Sequence, residues 1–276
     1  MKIVTLASGS KGNCTLLQSE KCKILIDAGI NVSEIETKLL TLNVNPNEID
    51  AILITHEHID HIKSVGLFAK KYGSCVYAHN LEWQVLEEKV KNHIKPEQQK
   101  DFFSTDFFLK DLTVGSFELS HDSNLCLGYS FFNSGNKFSI ATDLGVITPL
   151  VIKALKESSL IILEANHDEK LLLNNPKYSI SLKNRILSSK GHLSNFATAD
   201  ALIQLVGGKL QQVVLAHLSE ENNSPSLAYN TVKTELIKNG IIEGENVFID
   251  VSTQHKIGNI FHLKDKNYWK NKYIFY

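Results

Sequence analysis

Several things are scarce in this chain of 276 residues, and each scarcity excludes a class of protein. Its four cysteines, Cys14, Cys22, Cys75 and Cys126, form no C-x-x-C pair and no dense framework. That excludes a disulfide-stapled scaffold and leads us to expect reduced thiols, used as small core residues, in a cytoplasmic protein. Charge of neither sign prevails: 29 basic against 30 acidic residues leave a net charge of -1. No whole-molecule field therefore announces a nucleic-acid or membrane partner, although a local patch could still bind one. No apolar run reaches the ~18 residues a bilayer span needs, and the apolar stretch within Met1–Ala7 is too short for a signal peptide. Internal repeats, low-complexity stretches and Pro/Gly-rich linkers are also missing.

What is present is ordinary globular material, with 43% apolar and 21% charged residues. A chain of this length buries well over half its surface as one α/β unit and needs neither disulfide nor structural metal to stay folded. We expect a single domain over residues 1–276, with 264–276 as a tail or terminal strand. The mix of Lys with Tyr, Trp and Phe in that segment suits an aromatic-packed strand, or else nucleic-acid contacts.

Short β-branched runs alternate with helical patterns throughout. Strands are expected at Lys2–Leu6, Cys14–Gln18, Lys23–Asp27, Ala51–Thr55, Cys75–Ala78, Phe117–Ser120, Leu127–Asn133, Lys137–Thr142, Leu160–Leu163, Gln212–Ala216 and Asn246–Val251. Helices are expected at Ser33–Leu42, Ile59–Tyr72, Leu81–Lys91, Pro149–Lys156, Ser179–Ser189, Asn195–Val206 and Ser226–Asn239. Ser33-Glu34-Ile35-Glu36 reads as a capping box, and Ser134-Gly135-Asn136 as a hairpin turn. The polar stretches Asn92–Lys110 and Asp168–Tyr178 read as mobile loops. Interleaved strands and helices imply an α/β domain with helices on the sheet faces.

The chemistry concentrates in Thr55-His56-Glu57-His58-Ile59-Asp60-His61, where a buried strand ends and four potential ligands follow. A regular helix or strand cannot wrap all four around one ion. A tight turn splits them between two, and imidazole with carboxylate suits zinc, manganese or iron. The pattern recurs, since His121, Asp143 and His217 each directly follow an apolar strand. Ligand crevices in α/β sheets lie outside the carboxyl ends of strands, so these ends converge. His56, His58 and His121 suit one ion, Asp60, His61 and His217 the other, and Asp143 bridges. Two divalent ions ~3.5–4 Å apart would share a hydroxide as nucleophile. Cys14 has no base paired with it in the sequence. His79, His93, His167, His255 and His262 read as surface or core residues.

His-x-His-x-Asp-His followed by His, Asp and His, each after a strand, resembles the metallo-β-lactamase superfamily over about residues 1–251. The resemblance implies an αββα sandwich of two mixed β-sheets, helices covering the outer faces and the dinuclear site along one edge. It also implies that Asp27 supports the ligand loop by accepting a hydrogen bond. Asp143 stands where true β-lactamases have Cys, and His58 where the redox flavodiiron members have Glu. The 73 residues between Asp143 and His217 leave no room for a β-CASP insertion. The opening Ser8-Gly9-Ser10-Lys11-Gly12-Asn13-Cys14 is similar to the start of the YycJ/WalJ-type exonuclease group. In that reading Ser8, Ser10, Asn13, Ser194 and Asn222 contact substrate. The Ser8–Asn13 glycines could let backbone N–H groups cradle an anion, or merely form a tight turn.

Gly191-His192-Leu193-Ser194 resembles a ribonuclease Z segment. This implies that His192 binds the scissile phosphate or protonates the leaving oxygen while Glu164 fixes its tautomer. Alternatively, His192 caps the helix beginning near Asn195. The resulting expectation is a dinuclear phosphodiester hydrolase, a 5′→3′ exonuclease on DNA (or RNA), with Asp60, His192 and Glu164 in catalysis. Lys11, Lys63 and Lys190 are candidate DNA contacts. Its rivals are a small-molecule hydrolase of the same fold (cyclic phosphodiesterase or glyoxalase II-like thioesterase) and a non-catalytic metal-binding partner protein. Oligomeric state does not follow from the residues.

Overall fold

The computed structural model describes residues 1–86, 88–102, 106–207 and 211–263. The expected tail or strand at 264–276 lies outside the described residues. Among the described residues fourteen strands form two sheets: β1 (Lys2–Ala7), β2 (Cys14–Gln18), β3 (Lys23–Ile26), β4 (Ala51–Leu53), β5 (Cys75–His79), β6 (Gln99–Phe102), β7 (Asp106–Leu109), β8 (Leu112–Leu119), β9 (Cys126–Asn133), β10 (Asn136–Ala141), β11 (Leu160–Glu164), β12 (Gln211–Ala216), β13 (Val247–Val251) and β14 (Phe261–His262). The first sheet has the order β14-β1-β2-β3-β4-β5-β6 and the second β13-β12-β11-β10-β9-β8-β7. Each is mixed. β3 to β6 run parallel in one and β10 to β13 in the other, with antiparallel hairpins beyond them.

Period-2 alternation decides which face each side chain joins. From β3, Ile24 and Ile26 point inward and pack with Phe138, Ile162 and Val214 between the sheets. Leu25 points outward, onto Ile35 and Leu39 of α1 (Val32–Thr41). From β12, Val214 and Ala216 face inward, whereas Val213 and Leu215 meet Val151, Leu202 and Val232 outside. Those last residues belong to α6 (Pro149–Leu155), α9 (Asn195–Leu205) and α10 (Pro225–Lys238). The layering is αββα. Among the described residues no helix is long and apolar enough to cross a membrane.

Five sequence expectations are corrected. Ser33 opens no capping box: α1 begins at Val32 with Asn31 as N-cap, and the Ser33 carbonyl instead accepts from Thr37. The expected helix over Ile59–Tyr72 is two, α2 (Ile59–Ile62) and α3 (Val65–Tyr72). The expected Leu81–Lys91 helix is also divided, into α4 (Asn80–Val85) and α5 (Glu88–Lys91). Finally, Asn92–Lys110 carries β6 and β7, whose side chains are mostly solvent-facing, so their polarity hid two strands. Asp168–Tyr178 likewise contains α7 (Glu169–Asn174), N-capped by Asp168. The hairpin turn at Ser134-Gly135 holds, with both residues at positive φ as a tight β9–β10 connection requires.

Candidate metal centre

The carboxyl ends of β3, β4, β8, β10, β11 and β12 meet at one edge of the sandwich. Three of these strands end in a residue forced into the left-handed region: Asp27 (φ 59), Asp143 (φ 65) and His217 (φ 56). Non-glycine residues pay about 1–3 kcal/mol to sit there, and such residues persist where surrounding bonds over-determine them. Those bonds are present. Asp27 accepts from the Thr55 N–H and hydroxyl, both at 2.9 Å. The His217 N–H donates to Ser8 Oγ at 2.8 Å. Gly29 is fixed by packing, because a Cβ there would fall 1.6 Å from the Asp60 carbonyl oxygen. The loop that carries Asp60 therefore sits directly on the turn after β3.

The ligand string splits as a turn allows. His56 ends the buried run after β4, His58 is the N-cap of α2, and Asp60 and His61 occupy the first turn of that helix. Donor atoms of His56, His58 and His121 lie within 4.8 Å of one another, as do those of Asp60, His61 and His217. Asp143 stands between the sets: Oδ2 is 3.1 Å from His61 Nε2, and Oδ1 is 3.8 Å from His121 Nε2. These seven residues are brought together in the grouping the sequence suggested.

Four of the five imidazoles are aimed by their second nitrogen. His61 Nδ1 is 2.7 Å from Asp27 Oδ2, and His217 Nδ1 is 2.7 Å from Glu164 Oε1. His121 Nδ1 is 3.2 Å from the Gly191 carbonyl, and His56 Nδ1 is 3.0 Å from Thr55 Oγ1. Carboxylate or carbonyl partners of this kind fix tautomer and ring plane in metal sites. His192 Nδ1 also reaches Glu164 Oε1, at 2.9 Å, while Glu164 Oε2 accepts from the Leu144 and Leu193 N–H groups, both at 3.1 Å. His192 is thus oriented as expected and does not cap α9, whose N-cap is Ser194.

The electrostatics follow from this crowding. Burial works against charge on Glu164, yet His192 and His217 outweigh it and bring its carboxyl down to about 2. For His217, burial is likewise outweighed, by Asp143, Asp60 and Glu164, and the ring rises to about 10. His56, buried among other imidazoles, is pushed well below its usual value.

A metal fits these residues by the chemistry of the donors. His56 Nε2 and His217 Nε2 are buried and lack a hydrogen-bond partner, a costly arrangement for a polar atom unless it ligates a cation. Imidazole and carboxylate facing one another match zinc, manganese or iron.

The residues read as substrate contacts are placed as follows. Ser8 holds the His217 backbone, Ser194 caps α9 and donates to Glu169, and Asn222 bonds Asn175 and Ser219. Asn13 closes the Gly9 turn and brings Nδ2 within 3.0 Å of His61 Nε2. Ser10 alone of these lines a cavity of about 170 Å³ beside His192. Lys63 and Lys190 are exposed, whereas Lys11 pairs with Glu220 at 2.5 Å. Cys14 is buried and its thiol is raised by burial and by Asp27, so it offers no nucleophile.

Sequence reasoning missed several participants. Glu164 serves two histidines rather than one. Asp122 lies 3.4 Å from His121 Nε2 and is paired with Arg185, a contact 63 positions apart that no local pattern could reveal. His167, read from the sequence as a surface or core residue, is buried with neither ring nitrogen hydrogen-bonded.

Comparison with known proteins gives concordant findings. Residues 7–136 match the model of the metallo-beta-lactamase superfamily. The exodeoxyribonuclease WalJ of Streptococcus pneumoniae is 39% identical over 238 residues, covering 85% of this chain and 88% of its own. The exodeoxyribonuclease YycJ of Bacillus anthracis is 36% identical over 242 residues, covering 87% and 90%. The crystal structure of the metallo-beta-lactamase fold protein YhfI from Bacillus subtilis superposes with a TM-score of 0.68 at 16% identity, over 95% of this chain and 99% of that one. That last likeness concerns the fold alone.

Proposed function

This chain belongs to the metallo-beta-lactamase superfamily, in the family of the WalJ and YycJ exodeoxyribonucleases, and from that premise we propose that it removes nucleotides from DNA ends, in the 5′→3′ direction, at a dinuclear metal centre. His56, His58 and His121 would hold one divalent cation and Asp60, His61 and His217 the other, with Asp143 within reach of both sets. When bound, the pair supplies Lewis acidity toward phosphate oxygens and brings water near ionisation at neutral pH.

The protein's own groups do the rest. Asp27 and Glu164 keep His61 and His217 in the tautomer that turns Nε2 inward. His192, with a side chain 23% exposed and Nδ1 tied to Glu164, is one of the polar groups that line the cavity. Its other nitrogen faces the incoming phosphate and either hydrogen-bonds it or passes a proton to the leaving oxygen. With a net charge of -1, long-range attraction for a polyanion is weak, so affinity rests on the site and on local lysines such as Lys63 and Lys190.

The observation that carries this reading is the presence of two complete ligand clusters beside a partly exposed histidine that shares Glu164 with one of them. The test is a panel on metal-loaded protein: 5′-phosphorylated, 5′-hydroxyl and circular DNA, bis-p-nitrophenyl phosphate and a glutathione thioester. Nucleotide release from linear DNA is expected. Circular DNA cut as fast as linear would overturn the exonuclease assignment, and turnover of the thioester alone would overturn phosphodiester chemistry.

A further inference from the structure

Helix α8 (Ile180–Leu187) has no fully buried residue, although its sequence is amphipathic. Of its half-buried positions, Leu182 and Ile186 stand one helical turn apart and face the cavity beside His192 instead of a core. Tyr178, just before the helix, completes an apolar wall, while Asn166 and Ser219 contribute polar lining. Arg185, between the two aliphatic positions, also lines the cavity, held by Asp122. The helix is pinned there from its far end: the His192 N–H donates to the Ile186 carbonyl at 2.9 Å, and Ser120 Oγ donates to the Ser189 carbonyl at 2.8 Å.

Size restricts what such a space can take. About 170 Å³ is close to the ~150 Å³ of a cavity that accommodates one benzene ring. It has room for a single ring system on a wall that is open to solvent on its other side. Its position restricts the occupant further, because any group esterified to a phosphate held at His192 on this side must enter it. An aromatic face, two aliphatic side chains and scattered hydrogen-bonding groups form a stacking platform tolerant of base identity. Arg185, its side chain 61% exposed, puts a planar cation at the same wall, suited to a phosphate.

We propose that this cavity is the subsite for the terminal nucleotide of the DNA strand, with its base against Tyr178, Leu182 and Ile186 and its phosphate toward Arg185. It rests on the nuclease reading above. Helix α8 forms the wall of this subsite, so in this reading a strand end packs its last base against the helix.

The test uses the full metal-loaded chain with deoxyadenosine 5′-monophosphate as probe, by calorimetric titration, together with KM and kcat on linear single-stranded DNA. Wild type, Y178A, Y178F and F108A are compared, the last removing an exposed aromatic on β7 far from the site. Loss of one stacking platform weakens binding on the order of tenfold or more. The dissociation constant in Y178A should rise accordingly and KM rise more than kcat falls, with Y178F within about threefold of wild type and F108A unchanged. R185A should additionally lose any preference for a 5′-phosphate over a 5′-hydroxyl end. Wild type that degrades linear DNA but binds no mononucleotide, or Y178A indistinguishable from wild type, overturns the subsite while leaving the nuclease reading intact. Wild type that degrades no DNA overturns both. Metal content and thermal midpoint, measured on every variant, separate a binding loss from misfolding.

Discussion

Glu164 Oε1 lies 2.7 Å from His217 Nδ1, inside a carboxylate that is wholly buried. The same oxygen reaches His192, and the other accepts two backbone N–H groups from the loops after β10 and before α9. One side chain therefore aims a ligand, a substrate-facing histidine and the loop that carries Asp143.

Glu164→Gln should lower metal affinity by about 10–100-fold, the range for a lost carboxylate partner behind a ligating histidine, and turnover with it. His192→Ala should retain metal content and lower turnover by about 10²–10⁴, the range for a missing general acid. Metal analysis alongside steady-state kinetics distinguishes the two. Unchanged turnover in His192→Ala would remove its assigned role.

Asp27 offers a parallel test on the first sheet. Asp27→Asn keeps a residue type tolerated at φ 59 but loses the charge facing His61, whereas Asp27→Ala loses the bonds to Thr55 as well. Metal content should fall in both, more in the alanine variant, which should also unfold at lower urea concentration.

Much of this centre was legible in the chain because a ligand that directly follows an apolar β-branched run leaves little choice of place. Asp143 and His217 were found that way, and Asp27 by the resemblance of its setting. Glu164 was expected to serve His192, but its grip on His217 was not visible, since that bond joins two adjacent parallel strand ends. Edge strands β6 and β7 escaped because only one side chain in each is buried, at Phe102 and Leu109, which leaves polar sequence that reads as loop. Helix α8 was placed correctly, yet nothing in its periodicity distinguished a face turned to a cavity from one turned to a core.

Between the sheets, Phe138 is fully buried against Phe131, with ring centroids 5.5 Å apart. Phe138→Ala should cost about 3–5 kcal/mol. The denaturant midpoint should shift with an unchanged slope, and a shift worth less than ~1 kcal/mol would mean the inter-sheet layer is not the close-packed core described.

Glu82 in α4 is fully buried, and burial, then the nearby Glu57, raises its carboxyl to about 8. Between its unfolded value near 4.5 and 8, the folded chain keeps a proton that the unfolded chain has released. Stability from this group is thus fully present below the unfolded value and declines as pH rises toward 8, at up to about 1.4 kcal/mol per pH unit. Glu82→Gln should flatten that slope, so that its urea midpoint exceeds wild type at pH 8. An equal pH slope in both proteins would contradict the assignment.

The most direct measurement is metal stoichiometry taken together with hydrolysis of end-labelled linear DNA, before chelation, after it and on re-addition of zinc or manganese. Two ions per chain, activity abolished by chelation and restored by metal, and loss of both ions and activity in His58→Ala combined with His217→Ala are the predicted results. Full DNA hydrolysis by metal-free protein, or by that double variant, would contradict the account.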